Sequence, residues 1–239
     1  MRTPVEWARY RIGRIPRKLR DARKTATWLS RDVRNGLRRW WELGVCKRPI
    51  TDLIRYERRI DSQHGQDGIL EALFTKIGTT DKRFVEFGSG TTRECNTIYL
   101  ARWKGWRGLW MDSTYLDTDG NDYWIWKAIT RYRPRVVSIE YNAELPPHVS
   151  RTIPYDPHFR WDGETDYFGA SLLALKKLGE HKGHTLLGCD SAGADAFFVR
   201  QELAQRHFVV RDVTSVYRRP VWFDGRGIAH NASRAMVDV

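Results

Sequence analysis

Apolar residues recur at spacings of three and four near the start of the chain. Leu19, Ala22, Ala26, Leu29, Val33, Leu37 and Trp41 share one helical face, with Arg and Lys on the others. Pro16 suits the start of that helix, and Gly44 and Pro49 suit its end. From Asp61 the texture changes. A polar run over 62–67 precedes a helical pattern over 69–77, and residues 83–88 (RFVEFG) predict a short strand. The pattern then predicts a helix over 93–103, a strand over 107–112, a helix over 122–132 and a strand over 136–142. A loop over 145–169, rich in Pro, Asp and aromatics, leads to a helix over 170–182 and strands over 185–190 and 196–200. Strands alternating with helices predict an α/β fold with a doubly wound, mainly parallel sheet. The last two strands, joined by Ser191-Ala192-Gly193-Ala194-Asp195, predict an antiparallel hairpin at the sheet edge. No internal repeat is visible.

Charge divides the chain where the texture does. Residues 1–60 carry 18 Lys and Arg against 6 Asp and Glu, and the rest is balanced at 23 of each, so the net +12 belongs to the first segment. The expected organisation is a basic amphipathic helical extension, 1–60, and an α/β domain, 61–239. With Trp7, Trp28, Trp40 and Trp41 among its basic residues, the extension fits three roles. It suits an interfacial helix on an anionic membrane surface. It suits a nucleic-acid contact less well. It also suits a helix packed on the body or on a second subunit in a homo-oligomer. At 239 residues, 41% of them hydrophobic, the chain can bury one α/β core but falls short of two full domains. No run reaches the roughly 18–20 apolar residues of a membrane span, and no apolar secretory segment opens the chain. Cys46, Cys95 and Cys189 are too scattered for a zinc spacing or a disulfide framework. The expected setting is cytoplasmic, with peripheral membrane attachment through residues 1–60 as the variant.

Candidate chemistry gathers at strand ends. Val85-Glu86-Phe87-Gly88-Ser89-Gly90 ends a strand and precedes a helix, and ligands of doubly wound sheets bind at such carboxyl ends. Arg93 breaks the G-x-G-x-x-G dinucleotide pattern. An acid ahead of G-x-G, with Asp112 ending the next strand, suits a sulfonium nucleoside better than NAD; a plain strand-turn-helix is the alternative. Asp117, Asp119, Asn121 and Asp122 begin like a calcium loop, but Gly120 falls at the wrong position and Ala128 replaces the closing Glu. Asp117 and Asp119 remain able to hold a divalent cation, or Asp119 to act as a base, and Asp122 can instead cap the following helix. Glu140 is a candidate base at a strand end, or a structural partner for an arginine. Asn142 is a candidate donor to substrate. Tyr155, Asp156 and Tyr167 in the long loop suit a sugar-like substrate, or pack as an ordinary loop. Asp190 either lines the same cleft or starts a turn.

Three stretches taken in order carry a family resemblance. They are Ser62-Gln63-x-Gly65-x-Asp67-Gly68-Ile69, Phe84-Val85-Glu86-Phe87-Gly88 and Trp106-Arg107-Gly108-Leu109-Trp110-x-Asp112. Together they resemble the entry of FkbM-like S-adenosylmethionine-dependent methyltransferases. Asp119-Gly120-Asn121-Asp122-Tyr123-Trp124, Ile139-Glu140-Tyr141-Asn142, Tyr155-Asp156-Pro157 and Tyr167-Phe168-Gly169-Ala170-Ser171 are similar to one branch of that group. The resemblance spans about 61–210. It implies a Rossmann-like methyltransferase fold with S-adenosylmethionine held by Glu86, Gly88, Gly90 and Asp112, and O-methylation of a glycan or glycolipid hydroxyl. Two departures stand out. Thr92 replaces a third glycine, and only Ser113 to Leu116 separates the Asp112 strand from the acidic motif. That gap is too short for a parallel crossover. The domain is therefore expected to be shortened, with the cofactor's adenine wall incomplete or supplied by residues 1–60 or a second subunit. A methyltransferase-fold binding protein without catalysis, attached through its basic helix, is the alternative.

Overall fold

The structure, a computed structural model, describes residues 36, 41–45, 48–89, 95–111, 120–221 and 234–239. The chain divides into two compact units, Met1–Arg48 and Pro49–Val239. In the first, a π-helical turn at Trp41–Val45 is described, and the amphipathic pattern over 19–40 lies almost wholly outside the described residues. Residues 49–60, grouped by charge with the extension, belong to the second unit. Ile50 is buried there and bridges to Phe208, and Leu53 and Tyr56 are buried beside it.

The second unit is a mixed α/β body. Helix α1 (Gln66–Ile77) leads to strand β1 (Arg83–Phe87), α2 (Ile98–Lys104), β2 (Arg107–Met111), α3 (Asp122–Ala128) and β3 (Val136–Glu140). Then come β4 (Arg151–Thr152), α4 (Leu172–His181), β5 (His184–Cys189), β6 (Asp195–Arg200), α5 (Gln201–His207), α6 (Val213–Val216) and β7 (Val237–Asp238). Strands β1 and β2 pair in parallel, as the helix between them requires. The other larger sheet is antiparallel in its pairings, ordered β3-β6-β5. Its outer strands therefore run parallel to each other with β6 reversed between them.

One feature of the expected sheet is corrected: among the described residues no continuous, mainly parallel doubly wound sheet forms. The β5–β6 hairpin is antiparallel and stands at one edge of its sheet, with β5 outermost and β6 at the centre. Ala196-Phe197-Phe198-Val199 in β6 are all buried: a strand apolar on both faces must be covered on both. Helix α4 covers it with Leu172, Leu175 and Leu178 on one stripe. Gly179 on the same helix lets Phe198 and Trp126 approach so closely that an added Cβ would lie 2.9–3.0 Å from their rings. Ser171 caps this helix by accepting from Ala174 N–H at 3.2 Å. By contrast, every residue of β2 is exposed, with Leu109 at 63%, so the parallel pair keeps a bare apolar flank.

The polar run before α1 is a built turn. Asp67, fully buried, accepts from the backbone N–H of Ile60, Asp61 and Ser62 at 2.7, 2.7 and 2.9 Å, and Ser62 Oγ accepts from Asp67 N–H at 3.2 Å. Gly68 lies against residues 56–58, where a Cβ would meet Tyr56 O at 2.1 Å. The motif is thus explained by backbone satisfaction and close approach.

Candidate functional site

The carboxyl ends of β1, β3 and β5 carry Glu86, Glu140 and Asp190, and the amino end of β6 carries Asp195. Glu140 faces Asp195 across the β3–β6 register, and Asp190 N–H donates to Asp195 O at 3.0 Å. Two amides tie these ends together. Gln66 Nε2, at the start of α1, donates to Asp195 Oδ2 at 2.8 Å and to Asp190 Oδ2 at 3.1 Å. Asn96 Nδ2 donates to Asp195 Oδ2 at 3.0 Å, and Asn96 N–H donates to Glu86 Oε1 at 2.6 Å. One asparagine therefore spans from the end of the parallel pair to the start of β6. Gly88 follows β1 with φ 68°, a turn that suits glycine, and its N–H donates to Met111 O at 3.0 Å.

Burial dominates the electrostatics. Asp190 is inaccessible to solvent, and its carboxyl is pushed up to about 7 by burial first and by the charge of Asp195 second. The N–H groups of Ala194 and Asp195 offset part of this. Burial also raises Asp195, against the amides of Asn96 and Gln66. The pair therefore retains a proton well above the ordinary carboxylate range. Glu86 is raised too, by burial first, although it accepts from Asn96 N–H, from Thr97 N–H at 3.1 Å and from the Thr97 hydroxyl. Those donors sit at the start of α2, so Glu86 anchors that helix end while standing at the turn.

Other expected contacts are distributed differently. Asn142 is fully buried. Its Nδ2 donates to Asp166 O and Phe168 O, each at 2.8 Å, and its Oδ1 accepts from Glu144 N–H at 3.0 Å. The amide expected to meet substrate is thus engaged by the far end of the long loop. Asn121 does the same at the near end: its Nδ2 donates to Asp156 O at 2.8 Å. Trp124 Nε1 donates to Ile153 O at 2.9 Å, and Gly120 lies so close beneath Phe159 and Ile153 that a Cβ would meet them at 2.3–2.5 Å. The Gly-Asn-Asp-Tyr-Trp motif therefore fastens the loop. Asp156 and Tyr167 line a cleft of about 450 Å³ with Phe159, Arg160 and Arg234, whereas Tyr155 is 59% exposed and does not line it. Gly90, Asp112, Asp117 and Asp119 lie outside the described residues. Among the described residues, no group of three or more His, Cys, Asp or Glu is arranged to hold a metal ion. No helix among them is long and apolar enough to cross a membrane.

Gln66, Asn96 and Asp195 had no functional assignment from the sequence. The available signal was weak: two aspartates bounding a short turn between apolar strands, and a glutamine opening a helix. No family model, curated protein or solved structure matches the chain.

Proposed function

We propose that the chain is an S-adenosylmethionine-dependent methyltransferase acting on a hydroxyl of a glycan or glycolipid. The observation that carries this reading is the convergence of Glu86 and Asp190 at the carboxyl ends of β1 and β5 with Asp195 at the amino end of β6, tied together by Asn96 and Gln66, and with Glu140 opposite Asp195 at the end of β3. Ligands of open α/β sheets lie in the crevice outside those ends. Parallel outer strands with an antiparallel strand between them are also compatible with a doubly wound sheet carrying an antiparallel strand towards one edge. The described groups fit the cofactor's chemistry: carboxylates accept from amine and ribose hydroxyl donors and favour a sulfonium cation, and the Gly88 turn permits close backbone approach. Gly90 and Asp112 would complete the holding set. When bound, the cofactor supplies a methyl group on a good leaving group.

The chain's own part is alignment and proton removal. In this reading Glu140, half-buried at the end of β3, takes the proton of an acceptor hydroxyl. A divalent cation, if used, would rest on Asp117 and Asp119. A second reading, a binding protein without catalysis, is favoured by one specific observation: the Glu86 carboxylate is engaged by the start of α2. Calorimetric titration of the full chain with S-adenosylmethionine separates the two. Saturable binding below millimolar concentration is expected, and no heat of binding at millimolar cofactor would refute the enzyme.

A further inference from the structure

The loop cleft is separate in composition from the carboxylate cluster. It is lined by the rings of Phe159 and Tyr167, the guanidinium groups of Arg160 and Arg234, the His158 imidazole, Pro154 and one carboxylate, Asp156. Its volume of about 450 Å³ falls within the range of ~300–1,000 Å³ typical of small-molecule sites. The Arg234 guanidinium stands 5.3 Å from the centre of the Tyr167 ring, and the Phe159 and Tyr167 rings are 6.0 Å apart, tilted by 58°. A cation resting on an aromatic face holds its planar fork in place with less rotamer freedom to lose on binding.

The cleft is also held from behind. Asn121 fixes Asp156, Trp124 fixes Ile153, and Gly120 admits Phe159, so the wall that carries the carboxylate and one ring is set before any ligand arrives. Tyr167 lies between Asp166 and Phe168, whose carbonyls are held by Asn142. Asp162 folds the tip by accepting from Glu164 and Thr165 N–H, each at 2.9 Å.

We infer that this cleft binds a glycosyl unit bearing an anionic group. The rings offer apolar faces to a sugar's C–H surface. The Asp156 carboxylate accepts from hydroxyls, with Oδ1 already taking His158 N–H at 2.8 Å. The two guanidinium groups match a carboxylate or a phosphate by paired N–H donation. A neutral sugar uses the rings and Asp156 but offers no anionic oxygens for paired N–H donation from the two guanidinium groups. The identification of this unit as the methyl acceptor rests on the methyltransferase reading; its binding does not.

The test is calorimetric titration of the full chain, without S-adenosylmethionine, using digalacturonate, glucose 6-phosphate, maltose and inorganic phosphate. At least one anionic sugar should bind at least about tenfold more tightly than maltose, and the arm that binds identifies carboxylate or phosphate as the group. Arg160→Gln with Arg234→Gln, both on the surface, should erase that preference while leaving the thermal melting curve in place. Equal binding of maltose and both anionic sugars, absence of binding by all, or a preference that survives in the double variant overturns the inference. Inorganic phosphate binding as tightly as glucose 6-phosphate, with digalacturonate no better than maltose, also overturns it, because the cleft is then an ion site. Failure here leaves the cofactor titration untouched, and failure of the cofactor titration leaves anionic-sugar binding standing.

Discussion

Replacing Asp190 by Asn removes one charge from the buried carboxylate pair. Asp190 rises from 3.8 to about 7 on folding, so between those values the folded chain holds a proton that the unfolded chain has released. That contribution is complete near pH 4 and is lost as pH rises through about 7. A shift of roughly 3 units at 1.36 kcal/mol each amounts to about 4 kcal/mol at most. Asn keeps an oxygen for Ala194 N–H, which lies 2.8 Å from Asp190 Oδ1, but it turns an N–H₂ towards Gln66 Nε2. That second effect costs about 1 kcal/mol at every pH. Offset and slope therefore separate. Urea unfolding of wild type and Asp190→Asn, followed by circular dichroism from pH 5 to pH 8.5, should show the variant within about 1 kcal/mol of wild type at the acid end, where wild type has already lost part of the contribution. It should gain on wild type by about 2–3 kcal/mol across the series, roughly two units at 1.36 kcal/mol each. Titrating groups away from the pair cancel in the difference, and Asp195, relieved of its charged neighbour, shifts in the same sense as the substitution. Two parallel stability curves, differing by a constant within about 0.5 kcal/mol, would refute the claim that burial and Asp195 hold a proton on Asp190.

Two further substitutions test the scaffold. Asn142→Ala strands the Asp166 and Phe168 carbonyls and should destabilise by about 2–4 kcal/mol, lowering Tm by roughly 5–15 °C; an unchanged melting curve would return Asn142 to substrate contact. Gly68→Ala gains about 1 kcal/mol of helix propensity, yet drives a Cβ into Tyr56 O and Arg58 N. A net loss of about 1–3 kcal/mol in urea unfolding is expected, and a more stable variant would contradict the close approach.

Local pattern made the elements legible and long-range pairing did not. The Ser191–Asp195 turn announced its hairpin because apolar runs flank it, whereas the partner that places β6 centrally lies some sixty residues upstream in β3. The helix expected over 122–132 stops at Ala128, where Ile129 is already extended, and the chain reaches Pro134 shortly after. The helix expected from 93 has its described start at Ile98, because Glu86 takes the N–H groups of Asn96 and Thr97. Of the candidate site, the positions of Glu86, Gly88 and Glu140 were legible, because they sit at strand ends that periodicity can locate. Asn142 was placed at the right strand end and given the wrong neighbour, since its partners lie 24 and 26 residues away. Gln66 and Asn96 act on carboxylates more than 95 residues distant, and no local spacing encodes that.

The two asparagine clamps have a consequence for how this chain can change. Asn121 and Asn142 fasten the long loop at Asp156 and at Asp166–Phe168, each from a buried position and neither through the loop's own tip. The stretch between them, 157–165, is accordingly closed by residues outside it. Exposed side chains such as His158, Arg160 and Glu164 can be exchanged while those hydrogen bonds remain, whereas Phe159 on Gly120 and Asp162 at the tip belong to the fold. Novelty in what the loop meets and continuity in how the domain folds are then inherited by different residues.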